Sequence, residues 1–189
     1  IAVLPGDGIG IEVMDAALVV LRQLQHRIPR LQIHLRHCAA GASEYQRSGT
    51  ALPDETLQIC RDADAVLLGA MGLPHVRQPD GREVTPQIDL REHFQLYQGI
   101  RPAYLYHEID TPLRSVQGGG IDLIVVREST EGLFHSRGQR IAPDAETVDD
   151  LLRITRTGSQ RLFHAAFQLA RKRRRKLTLV DKANVLPSM

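Results

Sequence analysis

Short apolar runs recur along the chain between polar turns. The runs 1–4, 63–68 and 177–180 have the length and composition of buried strands. The run 123–126 is rich in β-branched residues and follows the glycine turn 118–120, which predicts an interior strand covered on both faces. The segment 31–35 alternates apolar and polar residues and predicts a half-exposed strand. The pattern therefore supplies several strands separated by long intervals.

Helical spacing fills most of those intervals. It predicts helices over 12–27, 53–61, 90–97 and 160–173, the last with Ser159 as its N-cap. In the first helix the predicted buried face is Val13, Ala16, Ala17, Val20, Leu21 and Leu24. In the last helix it is Leu162, Ala165, Ala166, Leu169 and Ala170. Strands that alternate with helices predict an α/β fold with a largely parallel sheet flanked by helices.

Composition is that of an ordinary globular chain, with 189 residues, 42% apolar and 24% charged. No apolar run approaches the roughly 18–20 residues of a membrane span, and we expect neither a membrane nor a targeting segment. Cys38 and Cys60 are isolated, which is typical of reduced thiols in a cytoplasmic protein. The basic run 171–176 falls at a predicted helix C-terminus and lacks interleaved aromatic residues, so we expect no nucleic-acid partner.

Several strands end in residues that could receive a ligand. The turn 5–10 (PGDGIG) follows the first strand, but Ile11 stands where the dinucleotide fingerprint needs its third glycine. Small residues at 69–72 follow another strand, and the polar segment 74–86 predicts a mobile loop or lid. Arg127 follows the run 123–126, where its guanidinium could bind a carboxylate or phosphate, or pair with a neighbouring Glu.

Three arginines and one lysine are the candidate chemical groups. Arg91, Arg101 and Arg127 together would suit a substrate with two or three carboxylates, although arginines on separate elements are more often solvated. Lys182 follows the apolar run 177–180, where burial or nearby cations could lower its pKa into the range of a general base. The alternative is an ion pair with Asp181.

Six motifs in order carry a resemblance to a known family. They are LPGDGIGIEV (4–13), AVLLGAMG (65–72), LREHFQLYQGIRP (90–102), VVRESTEGLF (125–134), RITRTGSQR (153–161) and VDKANVL (180–186). In these motifs the chain resembles the N-terminal half of the β-decarboxylating dehydrogenases, and most of all the 3-isopropylmalate dehydrogenase-like members. The resemblance implies that 1–99 begin the first α/β domain and that 100–189 begin the second, dimer-forming α/β domain. Each would be incomplete.

The resemblance also assigns substrate-binding residues. Arg91, Arg101 and Arg127 match the arginines that clamp the malate moiety. The segment that reads the variable group of the substrate corresponds to Thr85, Gln87 and Ile88. An apolar Ile88 favours 3-isopropylmalate, whereas a polar Gln87 would suit a carboxylate or hydroxyl. Isocitrate, homoisocitrate, tartrate and malate therefore stay open as substrates.

Catalysis and cofactor binding are implied in the same way. Lys182 matches the catalytic lysine, which reaches into the partner's site across a homodimer, and the stretch 134–150 matches the intersubunit arm. Ile9, Gly10 and Asn184 match positions near the NAD cofactor, with NADP possible. The family oxidises a hydroxy acid and then removes CO₂ with Mg²⁺ or Mn²⁺, whose ligands we expect outside this chain.

One position departs from the family pattern. Phe134 stands where the family has a tyrosine that helps to protonate the enol intermediate. We therefore keep two hypotheses, a decarboxylating dehydrogenase in which another group supplies that proton, and a non-catalytic regulatory subunit. In either case we expect the chain of 189 residues to be inactive by itself.

Overall fold

The computed structural model describes residues 1–114, 116, 120–139, 141–142 and 144–186. Gly118 and Gly119 of the predicted turn, and Arg140 and Pro143 of the predicted arm, lie outside the described residues. The chain forms two compact units, Ile1–His93 and Phe94–Met189.

The first unit is a small parallel sheet with helices against it. Its elements are β1 (Ala2–Gly6), α1 (Ile9–Arg27), β2 (Arg36–His37), α2 (Ala42–Ser48), α3 (Asp54–Asp62), β3 (Val66–Ala70) and α4 (Pro86–His93). The central strand β1 pairs in parallel with both neighbours, so that Ala2 lies opposite Arg36 on one side and Val66 on the other. The predicted parallel sheet with flanking helices is confirmed. The strand predicted over 31–35 is wrong, because that segment is irregular and only Arg36–His37 joins the sheet.

The core of this unit lies between β1 and α1. Val3, Met14 and Leu18 are buried against one another, and each contributes about 1.5–3 kcal/mol of burial free energy. A second cluster joins α2 to Val76 and Val84. The segment 74–86 was predicted to be a mobile loop, and the structure instead packs these two valines into the core. Polar residues separate the two valines in the sequence, so the apolar pattern does not show that both are buried.

The buried face of α1 differs from the prediction. Val13, Val20 and Leu24 are exposed, whereas Met14 and Leu18 are buried. The helix carries apolar residues on more than one side, and only the side that faces β1 and β3 is covered in the described part of the first unit. Periodicity identified the helix correctly but could not choose between its apolar sides.

The second unit is built on an antiparallel pair of strands. Its elements are β4 (Gln98–Tyr104), β5 (Asp122–Glu128) and α5 (Arg156–Arg171), with 3₁₀ turns at Glu108–Asp110 and Leu133–Ser136. The prediction that β5 is an interior strand covered on both faces is wrong. Leu123 and Val125 are 46% and 50% exposed, because β4 is the one strand that pairs with β5 in the described residues and α5 covers one face.

Two further expectations are corrected in this unit. Residues 177–180 form no strand, and Val180 is 88% exposed, because no described strand pairs with them. The helix α5 begins at Arg156 rather than 160, and its N-cap is Thr155 rather than Ser159. The Thr155 hydroxyl accepts a hydrogen bond from the Gly158 amide at 3.0 Å. The predicted apolar face of α5 is largely correct, with Ala166 buried.

The basic run 171–176 follows the end of α5, as predicted. Two of its members hold the start of β5, since Arg173 and Arg174 both donate to the Asp122 carboxylate. In the described ranges, no helix is both long enough and apolar enough to cross a membrane.

Candidate active site

Arg101 and Arg127 lie on one face of the β4–β5 pair. In the antiparallel register Arg127 lies opposite Gly99 and Arg101 lies opposite Val125, so the two arginines are diagonal neighbours. Diagonal neighbours on one face lie about 7–8 Å apart, which is close enough for two long side chains to approach the same small ligand. Adjacent residues on a strand point to opposite faces, which places Glu128 on the other side, towards α5. The sheet therefore presents two guanidinium groups on an exposed face.

The Phe134 ring lies against Arg127. The Arg127 Cζ atom is 5.7 Å from the ring centroid, within the range of a cation–π interaction. Phe134 belongs to the 3₁₀ turn Leu133–Ser136, which follows Gly132. Gly132 has a φ of 76°, a left-handed conformation that other residues adopt at a cost.

The turn between Arg127 and Phe134 is held by the Glu128 carboxylate. It accepts hydrogen bonds from the Thr130 amide at 2.7 Å, the Thr130 hydroxyl at 2.6 Å and the Glu131 amide. Burial raises the pKa of Glu128, but these bonds and the Arg161 charge outweigh burial and leave its pKa below the ordinary value. Glu128 is therefore ionised at neutral pH, and its bonds fix the first residues after β5.

Arg161 on α5 contacts the same turn. Its Nη2 donates to the Thr130 hydroxyl at 2.7 Å and lies 3.3 Å from Glu128, and its guanidinium stacks on the Tyr97 ring at 4.6 Å. Its Nε is buried and lacks a hydrogen-bond partner in the part of the chain that the structure describes. Glu128 thus forms its ion pair with Arg161. The alternative in which Arg127 pairs with its neighbouring Glu is not the arrangement observed.

Glu131 ties the turn to the N-terminus of α5. Its carboxylate accepts from the Thr155 amide at 3.0 Å and the Thr155 hydroxyl at 2.6 Å, where the helix dipole favours a negative charge. A Cβ at Gly158 would come closer than 3.0 Å to this carboxylate, so the glycine leaves room for it. Sequence reasoning missed Glu128, Glu131 and Arg161 as site residues. The one available signal was the pair of acids three residues apart after a strand.

Asp7 organises the turn after β1 in the first unit. This side chain is 2% exposed and accepts from the backbone amides of Ala42 at 2.7 Å, Ser43 at 2.8 Å and Gly72 at 2.8 Å. Burial raises the pKa of Asp7, but the three amides outweigh it and the pKa lies below its ordinary value. Sequence reasoning also missed this residue, whose signal was an acid between two glycines.

Ile9 and Gly10 begin α1 beside that turn. Ile9 is 66% exposed, and Gly10 is buried where a Cβ would come closer than 3.0 Å to the Pro5 and Ala70 carbonyl oxygens. The helix N-terminus therefore lies directly against the carboxyl ends of β1 and β3. The Gly10 amide donates to the Asp7 carbonyl at 2.8 Å and the Ile11 amide to the Gly8 carbonyl at 3.3 Å, and a Cβ at Gly72 would meet no atom within 4 Å. The binding of a cofactor at this turn stays a prediction.

The predicted specificity residues cluster at the start of α4. The Thr85 carbonyl accepts from the Ile88 amide at 2.9 Å, and Ile88 and Arg91 are half-buried one turn apart on the helix. The Gln87 Oε1 is buried and has no hydrogen-bond partner among the described residues. Arg91 belongs to the first unit, so its meeting with Arg101 and Arg127 stays a prediction.

Lys182 and Asn184 lie in an exposed turn near the end of the described chain. The Lys182 carbonyl accepts from the amides of Val185 at 3.0 Å and Leu186 at 2.8 Å. Asp181 accepts from the Ala183 amide at 3.0 Å and so stabilises this turn. Lys182 is exposed in this unit rather than buried.

A divalent metal has no ligand set in the part of the chain that the structure describes. No group of three or more His, Cys, Asp or Glu side chains there is placed to hold an ion. The position of the metal ligands outside this chain stays a prediction.

Known proteins resemble the whole chain. The model of the family "Isocitrate/isopropylmalate dehydrogenase" matches residues 1–189. The 3-isopropylmalate dehydrogenase of Corynebacterium efficiens is 42% identical over 98% of the chain and 53% of its own length. That of Escherichia coli is 40% identical over 100% of the chain and 54% of its own length. The chain thus spans about half the length of these curated relatives.

Solved structures agree with the sequence comparison. The isocitrate dehydrogenase of Methylococcus capsulatus has a TM-score of 0.78 at 33% identity, over 98% of this chain and 52% of that one. A β-decarboxylating dehydrogenase of Thermococcus kodakarensis has a TM-score of 0.67 at 32% identity, over 99% and 50%. Fold and sequence lead to one assignment: the chain belongs to the isocitrate/isopropylmalate dehydrogenase family.

Proposed function

We propose that the protein to which this chain belongs oxidises and decarboxylates a 3-substituted malate, with hydride transfer to NAD and with Mg²⁺ or Mn²⁺. The observation that carries the proposal is the shared face of Arg101 and Arg127, two exposed guanidinium groups on neighbouring strands. Planar guanidinium forks bind carboxylates in a bidentate manner and fix their orientation. A hydroxy acid with two carboxylates matches that face. NADP is the alternative cofactor.

The roles of the residues follow from their chemistry. Arg101 and Arg127 bind and orient the substrate carboxylates, and Arg91 completes the clamp from α4. Lys182 accepts the proton of the substrate hydroxyl as hydride leaves the adjacent carbon. Ile9, Gly10 and Asn184 hold the nicotinamide end of the cofactor. The metal would be held by residues outside this chain and would supply positive charge beside the substrate oxygens.

The preferred substrate is 3-isopropylmalate. Two observations support it: the relatives bearing that name cover the whole chain, and Ile88 offers an apolar side chain one turn from Arg91. Isocitrate, homoisocitrate, tartrate and malate are the alternatives, favoured by the polar Gln87.

A second candidate function is a non-catalytic regulatory subunit of such an enzyme. It is favoured by Phe134, which contacts Arg127 with a ring that has no hydroxyl to donate. Substrate binding would persist in such a subunit, whereas turnover would not. Binding and turnover therefore have to be measured separately.

The first experiment uses the protein expressed from its complete reading frame in the cytoplasm of a host. NAD⁺ and NADP⁺ reduction are measured with Mn²⁺ against 3-isopropylmalate, isocitrate, homoisocitrate, tartrate and malate. We expect turnover of 3-isopropylmalate and its loss in Lys182→Ala. Arg127→Lys should raise KM about 10- to 100-fold, since a charged bidentate contact contributes about 1.5–3 kcal/mol. Arg171→Lys, at the exposed end of α5, is the matched control and should leave KM unchanged.

A mixing experiment tests the homodimer. If Lys182 serves the partner's site, dimers reassembled from Lys182→Ala and Arg127→Lys subunits contain one site with both residues intact. At a substrate concentration well below KM, where the Arg127→Lys site is nearly inactive, activity should return to about a quarter of the wild-type value in a statistical mixture. Activity no higher than that of the Arg127→Lys subunits alone would place Lys182 in the site of its own subunit. Binding of 3-isopropylmalate without turnover in folded wild-type protein would favour the regulatory subunit.

A further inference from the structure

The Phe134 ring faces the Arg127 guanidinium, to which the proposed function gives a role in substrate binding. The Arg127 Cζ atom lies 5.7 Å from the Phe134 centroid, on the exposed side of the β4–β5 pair. An arginine on an exposed sheet face has many rotamers and loses their entropy when it binds a carboxylate. A ring against the guanidinium removes part of that freedom beforehand. The ring also carries no donor or acceptor that would compete for the substrate.

The ring is held in place from both sides by the backbone. Glu128 binds the amides of Thr130 and Glu131, which sets the chain direction immediately after Arg127. Gly132 then exchanges hydrogen bonds with Arg153, its amide donating at 2.8 Å and its carbonyl accepting at 3.2 Å. The Phe134 carbonyl accepts from the Arg137 amide at 3.1 Å. The backbone that carries the ring is thus held by hydrogen bonds within this unit.

We infer that Phe134 is a positioning residue, whose ring holds the Arg127 guanidinium in the orientation that binds the substrate carboxylate. This inference rests on the proposed function of Arg127. It assigns to the aromatic ring a part in substrate affinity and none in proton transfer. Loss of the ring should therefore weaken binding and leave the chemical step unchanged.

The magnitude follows from the exposure of the pair. Cation–π interactions range from about 0.5 kcal/mol at exposed sites to about 2 kcal/mol when desolvated, which corresponds to a factor of about 2 to 30 in affinity. Phe134→Leu keeps an apolar side chain and removes the ring. Phe134→Tyr keeps the ring, so it should rescue affinity. Phe167→Leu makes the same change at an exposed phenylalanine on α5 and is the matched control.

The test combines kinetics with a spectroscopic readout on the full-length protein. We expect Phe134→Leu to raise KM and the dissociation constant of 3-isopropylmalate about 2- to 30-fold at unchanged kcat, and Phe134→Tyr to restore both. In ¹⁵N-edited NMR spectra the Arg127 Nε–H resonance, assigned by its absence in Arg127→Lys, should be shielded by the ring. That shielding should disappear in Phe134→Leu and persist in Phe167→Leu.

Each result decides the inference independently of the enzyme assignment. If wild-type protein turns over none of the hydroxy acids, the proposed reaction fails, and the Arg127 resonance and the dissociation constant of malate still test the ring. An unchanged resonance and an unchanged dissociation constant in Phe134→Leu would overturn the positioning role. A fall in kcat at constant KM would also overturn it, because the ring would then act in the chemical step.

Discussion

One carboxylate holds the backbone at the end of β1, and another does so at the end of β5. The two carboxylates differ in the groups that donate hydrogen bonds to them. Asp7, after β1, is buried and accepts from backbone amides in two distant segments, at Ala42–Ser43 and at Gly72. Glu128, the last residue of β5, is half-buried and accepts mostly from residues within three positions of itself, together with the Arg161 side chain. The first carboxylate therefore joins parts of the fold, and the second shapes a local turn.

The difference bears on where specificity can reside. Backbone amides cannot be exchanged by substitution, so the turn around Asp7 is a constant frame for the start of α1. The turn around Glu128 depends on side chains such as Thr130 and Arg161, and it presents Arg127 and Phe134 on an open face. Substitutions can therefore change the turn around Glu128 while the second unit stays folded.

Asp7→Asn should have the largest effect on stability. The amide keeps one oxygen acceptor but directs an NH₂ group at buried amides that need acceptors, and about two bonds to a charged group are lost. We expect a loss of about 4 kcal/mol in the free energy of unfolding, measured by urea denaturation followed by circular dichroism. Asp15→Asn, an exposed residue of α1, should change it by less than about 0.5 kcal/mol. A loss below about 1 kcal/mol for Asp7→Asn would show that Asp7 does not join the segments.

Gly10→Ala should have the next largest effect on stability. Gly158→Ala is the comparable change in α5, beside the Glu131 carboxylate. At Gly10 the new methyl group would overlap backbone oxygens of Pro5 and Ala70, which cannot move without shifting α1 from the sheet. At Gly158 it would meet only the end of the Glu131 side chain, which can turn away. We expect a loss of about 3 kcal/mol for Gly10→Ala and about 1 kcal/mol for Gly158→Ala. Equal losses in urea denaturation would contradict the distinction between the two turns.

Lowering the pH should remove the stability that these two carboxylates contribute. Both carboxylates have a pKa below the ordinary value in the folded state, so the unfolded chain binds more protons in acid. Their contribution to stability is complete above the ordinary carboxyl pKa and is lost as pH falls through the lowered folded pKa. Urea midpoints from pH 6 to pH 3 should therefore fall, and fall less steeply in Asp7→Asn than in Asp15→Asn. Parallel slopes would show that the Asp7 pKa is not lowered.

Sequence patterns predicted the fold class and most helices but only part of the packing. Alternating strands and helices gave the parallel sheet of the first unit, and the apolar face of α5 was largely correct. The buried side of α1 and the exposure of β5 depend on which neighbours cover them. Periodicity contains no information about those neighbours.

The candidate site shows the same limit. Arg101 and Arg127 were recognised from their residue type and their place in the motifs, and antiparallel pairing brings them to one face. Asp7 and Glu131 were missed because their partners are backbone amides and a remote threonine, and Glu128 was missed because its charged partner, Arg161, lies 33 residues away. A carboxylate that binds backbone leaves no complementary charge in the sequence to find.

Thr155→Ala is the smallest predicted effect, and it tests where α5 begins. The Thr155 hydroxyl accepts from the Gly158 amide and donates to Glu131, so its loss removes both the N-cap and the tie to the turn after β5. We expect a loss of about 1 kcal/mol, typical of an N-cap, in urea denaturation. Ser159→Ala is the matched control, because Ser159 lies inside the helix and its amide donates to the Thr155 carbonyl. Since the serine hydroxyl caps nothing in this arrangement, its removal should change stability by less than about 0.5 kcal/mol. The opposite order would mean that the helix begins at the serine, and Glu131 would then lose the donor that connects the Arg127 turn to α5.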